Sequence, residues 1–381
     1  MTNLQIPFNK PFLIGAEIEN ISKCLGLGSL SGNGEFTKSC EVWLKDFMGS
    51  HEVLITNSCT ASLEMSSLLL NVEPGDEIIM PSYTFVSTAN AFVLHGGIPI
   101  FIDIKESTLN IDEDKIEQFI TNRTKAIVVV HYAGQACNME KILHIANKYN
   151  ISVVEDSAQG LLSFYNDKPL GSIGDIGCIS FHDTKNIICG EGGALIINNQ
   201  KYANLARVIH EKGTNRDHFL KKLVSKYSWI EKGSSFMPAE IVSAFLYTQL
   251  TNSFEITQKR VNAFNYYLTL LGNESYKKYF SIPEVPPFSK HNAHIFYVIL
   301  NDYFDRDLII NELKKFGIYT TSHYEPLHSS PFGSKFRNPD QYVVTDKVSK
   351  KILRLPIWNG ITKELQERVA TSLLQVITTK F

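Results

Sequence analysis

Short apolar runs alternate with helix-like stretches between about residue 50 and residue 200. Seven runs have the length of a buried strand, and they lie at 53–56, 77–80, 100–104, 126–130, 152–155, 176–180 and 194–197. Helix-like stretches follow the first two, at 60–70 and 85–94. This alternation predicts a mostly parallel α/β sheet with helices on both faces. Ligands of such sheets bind at the carboxyl ends of the strands, so the residues after each run are the first candidates for a site.

The pattern changes near residue 250. A long helical stretch at 254–271 precedes the Pro-rich segment 282–287 and then a smaller mixed segment. A chain of 381 residues exceeds the usual size of a single core, so two domains are expected. We predict a large domain at 1–250 and a small C-terminal α+β domain at 251–381.

Composition argues against a nucleic-acid or membrane partner. The chain is 44% apolar with a formal net charge of −2, and its charges are interspersed without long blocks of one sign. It lacks the basic excess of a nucleic-acid binder, and no apolar run reaches membrane-spanning length. The N-terminus has no basic region followed by an apolar stretch, so we predict a cytoplasmic protein.

Neither a disulfide framework nor a metal site is predicted. The six cysteines never form a Cys-x-x-Cys pair and are expected to be small buried residues. His131, His182 and His323 are scattered and lack an accompanying carboxylate at ligand spacing.

The best clue to function is a carboxylate and an amine that follow two of the predicted strands. Asp156 comes directly after the run at 152–155, where a carboxylate is costly to bury unless a cation satisfies it. Lys185 follows the run at 176–180, and a lysine in a semi-apolar pocket loses its proton readily. Pyridoxal 5'-phosphate (PLP) needs this pair: an amine for a Schiff base, and an anion that keeps the pyridine nitrogen protonated.

Two further clusters could complete a PLP site. The stretch 57–61 opens a helix with short hydroxyl side chains, which favours a phosphate site, although a simple helix cap has the same pattern. Phe85 could cover a flat heterocycle, although a lone Phe is typical of a core. The glycine-rich stretches 26–32 and 171–177 do not have the spacing and context of a dinucleotide site.

Four stretches, at 81–89, 155–160, 180–186 and 190–194, resemble the DegT/StrS family of nucleotide-sugar aminotransferases, and the resemblance covers essentially the whole chain. It implies a type I PLP-dependent aminotransferase fold that works as a homodimer. It also implies that Lys185 bonds to the cofactor and that Asp156 contacts the pyridine nitrogen. Family members that dehydrate sugars have histidine in place of this lysine, so Lys185 indicates transamination.

The same resemblance implies the other cofactor contacts. It assigns Phe85 to the ring face, Gln159 to the ring hydroxyl, and Thr60, Ala61 and Ser180 to the phosphate. Many members also place an asparagine of the second subunit on that phosphate. The matching region of this chain reads Gly-Ser-Ser-Phe at 233–236, so Ser235 would replace that asparagine as the phosphate contact.

For the reaction, the resemblance implies L-glutamate as amino donor, pyridoxamine phosphate as intermediate and a nucleotide-linked keto sugar as acceptor. The stretches 7–9, 56–65 and 211–216 favour dTDP-4-keto-6-deoxy-D-glucose, aminated at the 4-position. His323 matches a segment that borders the substrate pocket, or else it is structural. Lys212 and Arg216 are candidates for the nucleotide diphosphate or a carboxylate, within one subunit or across the dimer, or else they are solvated loop charges.

Two alternatives stay open at this point. One is amination at the 3- or 4-position of another nucleotide-linked keto sugar, because one scaffold accommodates several sugars. The other is a PLP-binding regulatory protein without turnover, against which the intact Lys185 weighs.

Overall fold

A computed structural model of the protein describes residues 5–336 and 342–380. Within these residues the chain forms thirteen strands: β1 (Glu52–Thr56), β2 (Glu77–Pro81), β3 (Ile98–Ile102), β4 (Thr124–Val130), β5 (Ser152–Asp156), β6 (Phe164–Tyr165), β7 (Lys168–Pro169), β8 (Ile176–Ser180), β9 (Gly193–Ile197), β10 (Phe280–Ser281), β11 (Ser289–Lys290), β12 (Phe296–Leu300) and β13 (Ile352–Leu355). The same residues form twelve α-helices: α1 (Glu17–Leu27), α2 (Glu35–Met48), α3 (Cys59–Leu69), α4 (Val86–Val93), α5 (Met139–Tyr149), α6 (Ala203–His210), α7 (Arg216–Leu220), α8 (Glu240–Thr251), α9 (Ser253–Leu271), α10 (Arg306–Lys315), α11 (Val343–Lys351) and α12 (Lys363–Lys380).

The main sheet has seven strands in the order β1-β9-β8-β5-β4-β2-β3. Strands β3, β2, β4, β5 and β8 run parallel, whereas β9 runs antiparallel to both of its neighbours. The predicted mostly parallel α/β sheet is therefore confirmed. The run predicted at 100–104 forms its strand two residues earlier, at Ile98–Ile102. Asp103 lies just beyond the strand, and its carboxylate accepts hydrogen bonds from the backbone N–H groups of Val344 and Thr345 at the start of α11.

Helices cover both faces of this sheet, because successive strand residues point to opposite sides. Val128 and Val154 are fully buried in a cluster with residues of α3, α4 and α6. Their neighbours Val129 and Val153 are buried in a second cluster with α5. Strands that are buried on both faces need apolar residues throughout, which is why they are recognisable in the sequence as short continuous runs.

A second apolar core lies in the C-terminal part of the chain. The antiparallel sheet β10-β12-β13 packs against α9, α10 and α12, and residues such as Phe264, Phe296 and Leu353 fill the interior. The N-terminal segment joins this core, since Ile6 is fully buried in it and pairs with Ile318. The predicted boundary at residue 250 falls one residue before the end of α8, and the division into two domains remains a prediction.

Three features of the described residues bear on the classes of protein considered above. All six cysteines are buried and free. Across residues 5–336 and 342–380, no helix is long and apolar enough to cross a membrane. In the same part of the chain, no group of three or more His, Cys, Asp or Glu side chains is arranged to hold a metal ion.

Candidate active site

One cavity of about 610 Å³ lies at the carboxyl ends of β1, β2, β5 and β8. This is the edge where ligands of parallel α/β sheets bind. Its lining includes seven of the residues predicted from the sequence, namely Thr60, Phe85, Asp156, Gln159, Ser180, Lys185 and His323. These residues are spread over more than 260 positions of the chain, and the strand order brings them together.

Lys185 is half-buried in the turn that follows β8. Burial lowers the pKa of its ammonium group, because a charged amine loses hydration there. The next residue fixes this turn: Asn186 donates to the backbone oxygen of Asn292 at 2.8 Å, and its Oδ1 lies 3.0 Å from His294 Nδ1. The lysine is therefore held by a loop that is anchored to the C-terminal part of the chain.

Asp156 is the last residue of β5, and only 5% of its surface is exposed. Its Oδ2 accepts a hydrogen bond from Thr88 Oγ1 at 2.7 Å, and its Oδ1 accepts one from the Ala158 N–H at 3.1 Å. Burial raises the pKa of the Asp156 carboxyl, while these two hydrogen bonds act in the opposite direction. Within the described residues no cation lies at ion-pair distance, so the carboxylate can accept one from a ligand.

The first turn of α3 forms another wall of the cavity. Ser58 is the N-cap residue, and its Oγ accepts a hydrogen bond from the Ala61 N–H at 3.1 Å. Thr60 Oγ1 donates to Ser87 Oγ at 2.8 Å. The N-terminal end of a helix carries unpaired N–H groups and a partial positive charge, which suits a phosphate. Ala61 itself is buried and does not line the cavity.

A close backbone approach brings this turn against the sheet. A Cβ atom at Gly193, the first residue of β9, would lie 2.4 Å from the carbonyl carbon of Ser58. Since no side chain fits in that space, glycine is required at 193. Gly193 therefore allows the helix start to lie close to β9, which pairs with Ser180 of β8, a residue that lines the same cavity.

Phe85 and Gln159 lie on the side of the cavity nearest the C-terminal residues. Phe85 is 57% exposed, with its ring centroid 6.4 Å from that of Tyr324. Gln159 is buried, and its Oε1 accepts a hydrogen bond from the Ala133 N–H at 2.6 Å. Its Nε2 donates to the Tyr324 hydroxyl at 2.9 Å. Phe85 is thus free to contact a ring, while the protein fixes the orientation of Gln159.

His323 lines the cavity with a defined orientation. Its Nδ1 lies 3.1 Å from the Tyr132 hydroxyl, and its ring stacks on that of Tyr324 with 3.5 Å between centroids. Burial is the main cause of its strongly lowered pKa, and the charges of Arg354 and Lys185 add to the effect. His323 is therefore a neutral imidazole that can hydrogen-bond to a ligand.

Lys212, Arg216 and Ser235 do not line this cavity. Arg216 forms an ion pair of 3.4 Å with Glu211, and Ser235 pairs with Glu211 through an isolated backbone bridge. The Ser235 carbonyl also accepts a hydrogen bond of 3.3 Å from Asn57 Nδ2, just before α3. These three residues lie together outside the site of their own chain, and their functional roles remain predictions.

The structure adds residues that sequence reasoning missed. Thr88, His294, Tyr324 and Arg354 contact the site residues or line the cavity. Most of them gave no local signal, because their role depends on a partner distant in sequence. Arg354 did carry one: it is a lone charge inside the apolar strand β13.

The cavity residues fit PLP. Asp156 is a buried carboxylate without a cation, and a protonated pyridine nitrogen supplies both a positive charge and a hydrogen-bond donor. Lys185 is an amine with a lowered pKa in the same cavity. The N-terminus of α3 offers donors for a phosphate. The fold and this donor set together define a PLP-dependent enzyme.

Comparison with known proteins identifies the family. The model of the DegT/DnrJ/EryC1/StrS aminotransferase family matches residues 13–374, and the chain belongs to this family. It is therefore a PLP-dependent sugar aminotransferase, which confirms the predicted enzyme class and cofactor.

Similarity to individual proteins extends along nearly the whole chain. An uncharacterized protein of Methanocaldococcus jannaschii is 34% identical over 357 residues, which are 91% of each chain. GDP-perosamine synthase of Caulobacter vibrioides is 30% identical over 96% of this chain and 97% of its own. The solved structure of Helicobacter pylori PseC, an aminotransferase involved in the biosynthesis of pseudoaminic acid, superimposes with a TM-score of 0.91 at 26% identity, covering 98% of this chain and all of that one. The predicted aminotransferase fold is confirmed.

Proposed function

We propose that the protein transfers the amino group of L-glutamate to the 4-keto carbon of dTDP-4-keto-6-deoxy-D-glucose, which gives dTDP-4-amino-4,6-dideoxy-D-galactose. The observation that carries the chemistry is that Lys185 and Asp156 line one cavity. The choice of sugar rests on the sequence stretches 7–9, 56–65 and 211–216.

In this proposal the protein holds PLP at both ends of the ring. Asp156 would keep the proton on the pyridine nitrogen, and its hydrogen bonds from Thr88 and Ala158 favour the ionised carboxylate against the effect of burial. When bound, PLP supplies a sink for the electron pair left on a carbon that loses its proton. The remaining contacts are those expected from the sequence: Phe85 on the ring face, Gln159 near the ring hydroxyl, and Thr60, Ala61 and Ser180 at the phosphate.

Lys185 carries the proton transfer. Lys185 would hold PLP until the amino donor takes its place, and the freed Lys185 amine would then take the proton from the donor's α-carbon. Burial supports this role, because a lowered pKa leaves a larger fraction of the amine unprotonated. The same Lys185 Nζ moves a proton in the opposite direction when the keto sugar replaces 2-oxoglutarate in the cavity. A single amine therefore serves both halves of the cycle.

His323 orients the sugar in this scheme. Its imidazole is neutral and is fixed by the Tyr132 hydroxyl, so it can exchange a hydrogen bond with a sugar hydroxyl without adding charge. A neutral partner suits a hexose, whose hydroxyl and keto groups are uncharged.

We propose a homodimer whose second subunit completes each site. Lys212, Arg216 and Ser235 lie outside the cavity of their own chain, which is compatible with a role in the neighbour's site. Phe85 at the cavity and the next residue, Val86, are 57% and 47% exposed, and exposed apolar residues of this kind are typical of interfaces. Across the interface, Ser235 would contact the phosphate of PLP, and Lys212 and Arg216 would contact the nucleotide diphosphate.

Other nucleotide-linked keto sugars are the main alternative acceptors. The name of the Caulobacter relative specifies a GDP-linked product, and this chain is 30% identical to it. A related scaffold thus serves another nucleotide, so amination at the 3- or 4-position of a GDP- or UDP-linked sugar is the second candidate. A PLP-binding regulator without turnover is the third.

Product analysis tests the proposal. The purified holoenzyme is incubated with L-glutamate and a panel of dTDP-, GDP- and UDP-linked 3-keto and 4-keto sugars, and the products are identified by NMR. We expect the dTDP-linked 4-keto-6-deoxy sugar to turn over fastest and to give the galacto-configured 4-amine. Faster turnover of another sugar would replace this substrate, whereas conversion of none, together with no response of the cofactor to glutamate, would favour the regulator.

A further inference from the structure

The cavity contains an arginine, Arg354, that forms no ion pair with any residue of 5–336 or 342–380. Arg354 lies in β13 between Leu353 and Leu355, both fully buried in the C-terminal core. Because strand residues alternate, the Arg354 side chain points the other way, and it lines the cavity. Tyr297 of β12 stands opposite it in the antiparallel register.

The surroundings of Arg354 offer rings in place of a counter-ion. The ring centroid of Phe8 lies 4.6 Å from its Cζ atom, and Phe8 also lines the cavity. The nearby hydroxyl groups of Tyr83, Tyr132 and Tyr324 are neutral at ordinary pH, because burial raises their pKa values. Aromatic rings hold a guanidinium in place, but they do not neutralise it.

The charge of Arg354 is therefore uncompensated within the described residues. No carboxylate there lies at ion-pair distance, and its Nε is buried without a hydrogen-bond partner. Burial lowers the Arg354 pKa, yet a guanidinium remains protonated in proteins. Arg354 is half-buried, and an unpaired charge that is partly removed from water is costly unless a ligand brings an anion. Arg354 thus prepares the cavity for an anionic group.

We propose that Arg354 binds the α-carboxylate of the amino donor, and this inference rests on the proposed aminotransferase function. A carboxylate is planar and matches the two-pronged donor geometry of a guanidinium. The α-carboxylate is bonded to the same carbon from which Lys185 removes the proton, so its binding site must be close to that lysine.

The position of Arg354 favours this carboxylate over the nucleotide diphosphate. The Arg354 charge is near enough to Lys185 to contribute to the lowered pKa of the lysine. In a nucleotide sugar, the hexose ring separates the diphosphate from the keto carbon, which places the diphosphate further from Lys185. Binding at Arg354 also explains how one cavity distinguishes its two substrates, because only the amino donor carries a carboxylate.

The test separates the two half-reactions of the holoenzyme. The first half is followed by the loss of cofactor absorbance when L-glutamate is added without sugar. The second half is followed by its return when the keto sugar is added to enzyme reconstituted with pyridoxamine phosphate. For Arg354→Gln, we expect kcat/KM of the glutamate half to fall by about 100-fold to 1,000-fold, mainly through KM, as for the loss of a charge-assisted ion pair. The sugar half should stay within about fivefold of wild type.

Glutarate provides a readout that does not depend on turnover, since it has the carboxylates of glutamate but no amino group. We expect its Kd, measured by calorimetry on the PLP form, to rise about 100-fold in Arg354→Gln and less in Arg354→Lys. Arg207→Gln is the matched control, because Arg207 is paired with Glu52 at 2.6 Å and does not line the cavity. It should leave both half-reactions and glutarate binding unchanged.

The outcomes distinguish this inference from the proposed function. Unchanged glutarate binding and an unchanged glutamate half-reaction in Arg354→Gln would overturn the role of Arg354 alone. A loss confined to the sugar half-reaction would assign Arg354 to the diphosphate, and this would also overturn the proposal that Arg354 binds the donor's carboxylate. A wild-type enzyme whose cofactor does not respond to glutamate would contradict the proposed donor, while the glutarate titration would still decide whether Arg354 binds carboxylates.

Discussion

Thr88 Oγ1 lies 2.7 Å from Asp156 Oδ2 and donates to it. Together with the Ala158 N–H, it stabilises the ionised form of a carboxylate whose burial alone raises its pKa. The two residues come from α4 and β5, so helix packing on the sheet controls the charge that we assign to the pyridine nitrogen.

Thr88→Val keeps the shape of the side chain but removes the hydrogen bond. The pKa of Asp156 should rise further, so protonation should inactivate the enzyme at a higher pH than in the wild type as the pH is lowered. We expect kcat at neutral pH to fall by about tenfold, in line with the loss of one hydrogen bond to a buried charge. The measurement is the pH profile of kcat, and an acid limb at the wild-type position would contradict the role of Thr88.

Asp156→Asn removes the charge itself. Without its anion the pyridine nitrogen loses its proton and the ring becomes a poorer electron sink, so activity should fall by several orders of magnitude in a folded protein. Steady-state kinetics with circular dichroism as the folding control test this. A loss of only about tenfold, or ~1.4 kcal/mol in the barrier, would exclude the proposed part of Asp156.

Lys185 should be the site of covalent attachment. Borohydride reduction of the holoenzyme should fix PLP on Lys185, and Lys185→Ala should abolish turnover because it removes the amine that we assign to the proton transfer. Peptide mass mapping after reduction identifies the labelled lysine. Lys212 offers a matched control, since it lies outside the cavity and its alanine variant should label normally. A label at any other lysine would refute the assignment.

Gly193 should tolerate no side chain. A Cβ there would lie 2.4 Å from the carbonyl carbon of Ser58, so Gly193→Ala must push the start of α3 away from β9. We expect a loss of about 1–3 kcal/mol in the free energy of unfolding, as for other overpacked sites, together with weaker PLP binding. Gly190→Ala is a useful comparison, because a Cβ at Gly190 would meet open space, although its φ of +84° adds some strain. Equal PLP affinity in both variants would mean that the close contact between Gly193 and the Ser58 backbone does not shape the phosphate site.

His210 should make the fold sensitive to acid. It is buried, with Nε2 2.8 Å from the Ile55 carbonyl, and burial lowers its pKa to about 4. Between pH 6.5 and about 4 the unfolded chain binds a proton that folded His210 does not, so the free energy of unfolding falls as the pH is lowered. From pH 7 to pH 5 the contribution is about 2 kcal/mol.

His210→Gln isolates this contribution, because it keeps a donor for the Ile55 carbonyl but cannot titrate. Denaturant unfolding of wild type and variant at pH 7 and pH 5 gives the difference in slope. The variant should lose about 2 kcal/mol less than the wild type between these two pH values. If the free energy of unfolding falls equally in the two proteins, then His210 is already protonated in the folded state or does not cause the sensitivity to acid.

Much of the fold and the centre of the site were predictable because they depend on local patterns. Strands that are buried on both faces must be apolar throughout, and residues at their carboxyl ends must converge. Asp156 and Lys185 stand out for that reason, and the cavity contains both. Phe85 and Gln159 were predicted from the resemblance to a family, because their residue types alone are ambiguous; both line the cavity, and their contacts with the cofactor remain predictions.

The remaining site residues were not predictable, because their meaning arises from partners distant in sequence. Thr88 is an ordinary helical threonine until β5 brings Asp156 within hydrogen-bond distance. Arg354 comes from a strand of the C-terminal core and meets Phe8 from the other end of the chain. Conversely, Lys212 and Arg216 have long charged side chains, which are typical of residues that bind anionic ligands. In the single chain, however, neither residue lines the cavity.

Arg216 tests whether the sites are shared between subunits. If Arg216 serves the neighbour's site, mixing Lys185→Ala subunits with Arg216→Ala subunits should restore activity, because each heterodimer then has one complete site. Random exchange makes half of the dimers heterodimers with one working site each, which sets a ceiling of about one quarter of wild-type activity.

Mixing Lys185→Ala with Asp156→Ala is the matched control, since both residues line the same cavity of one chain and no complete site can form. Activity is measured after subunit exchange is verified by native mass spectrometry. If Arg216→Ala is inactive alone and verified heterodimers show no rescue, Arg216 belongs to the site of its own subunit. If the Arg216→Ala enzyme is fully active, Arg216 has no role in catalysis.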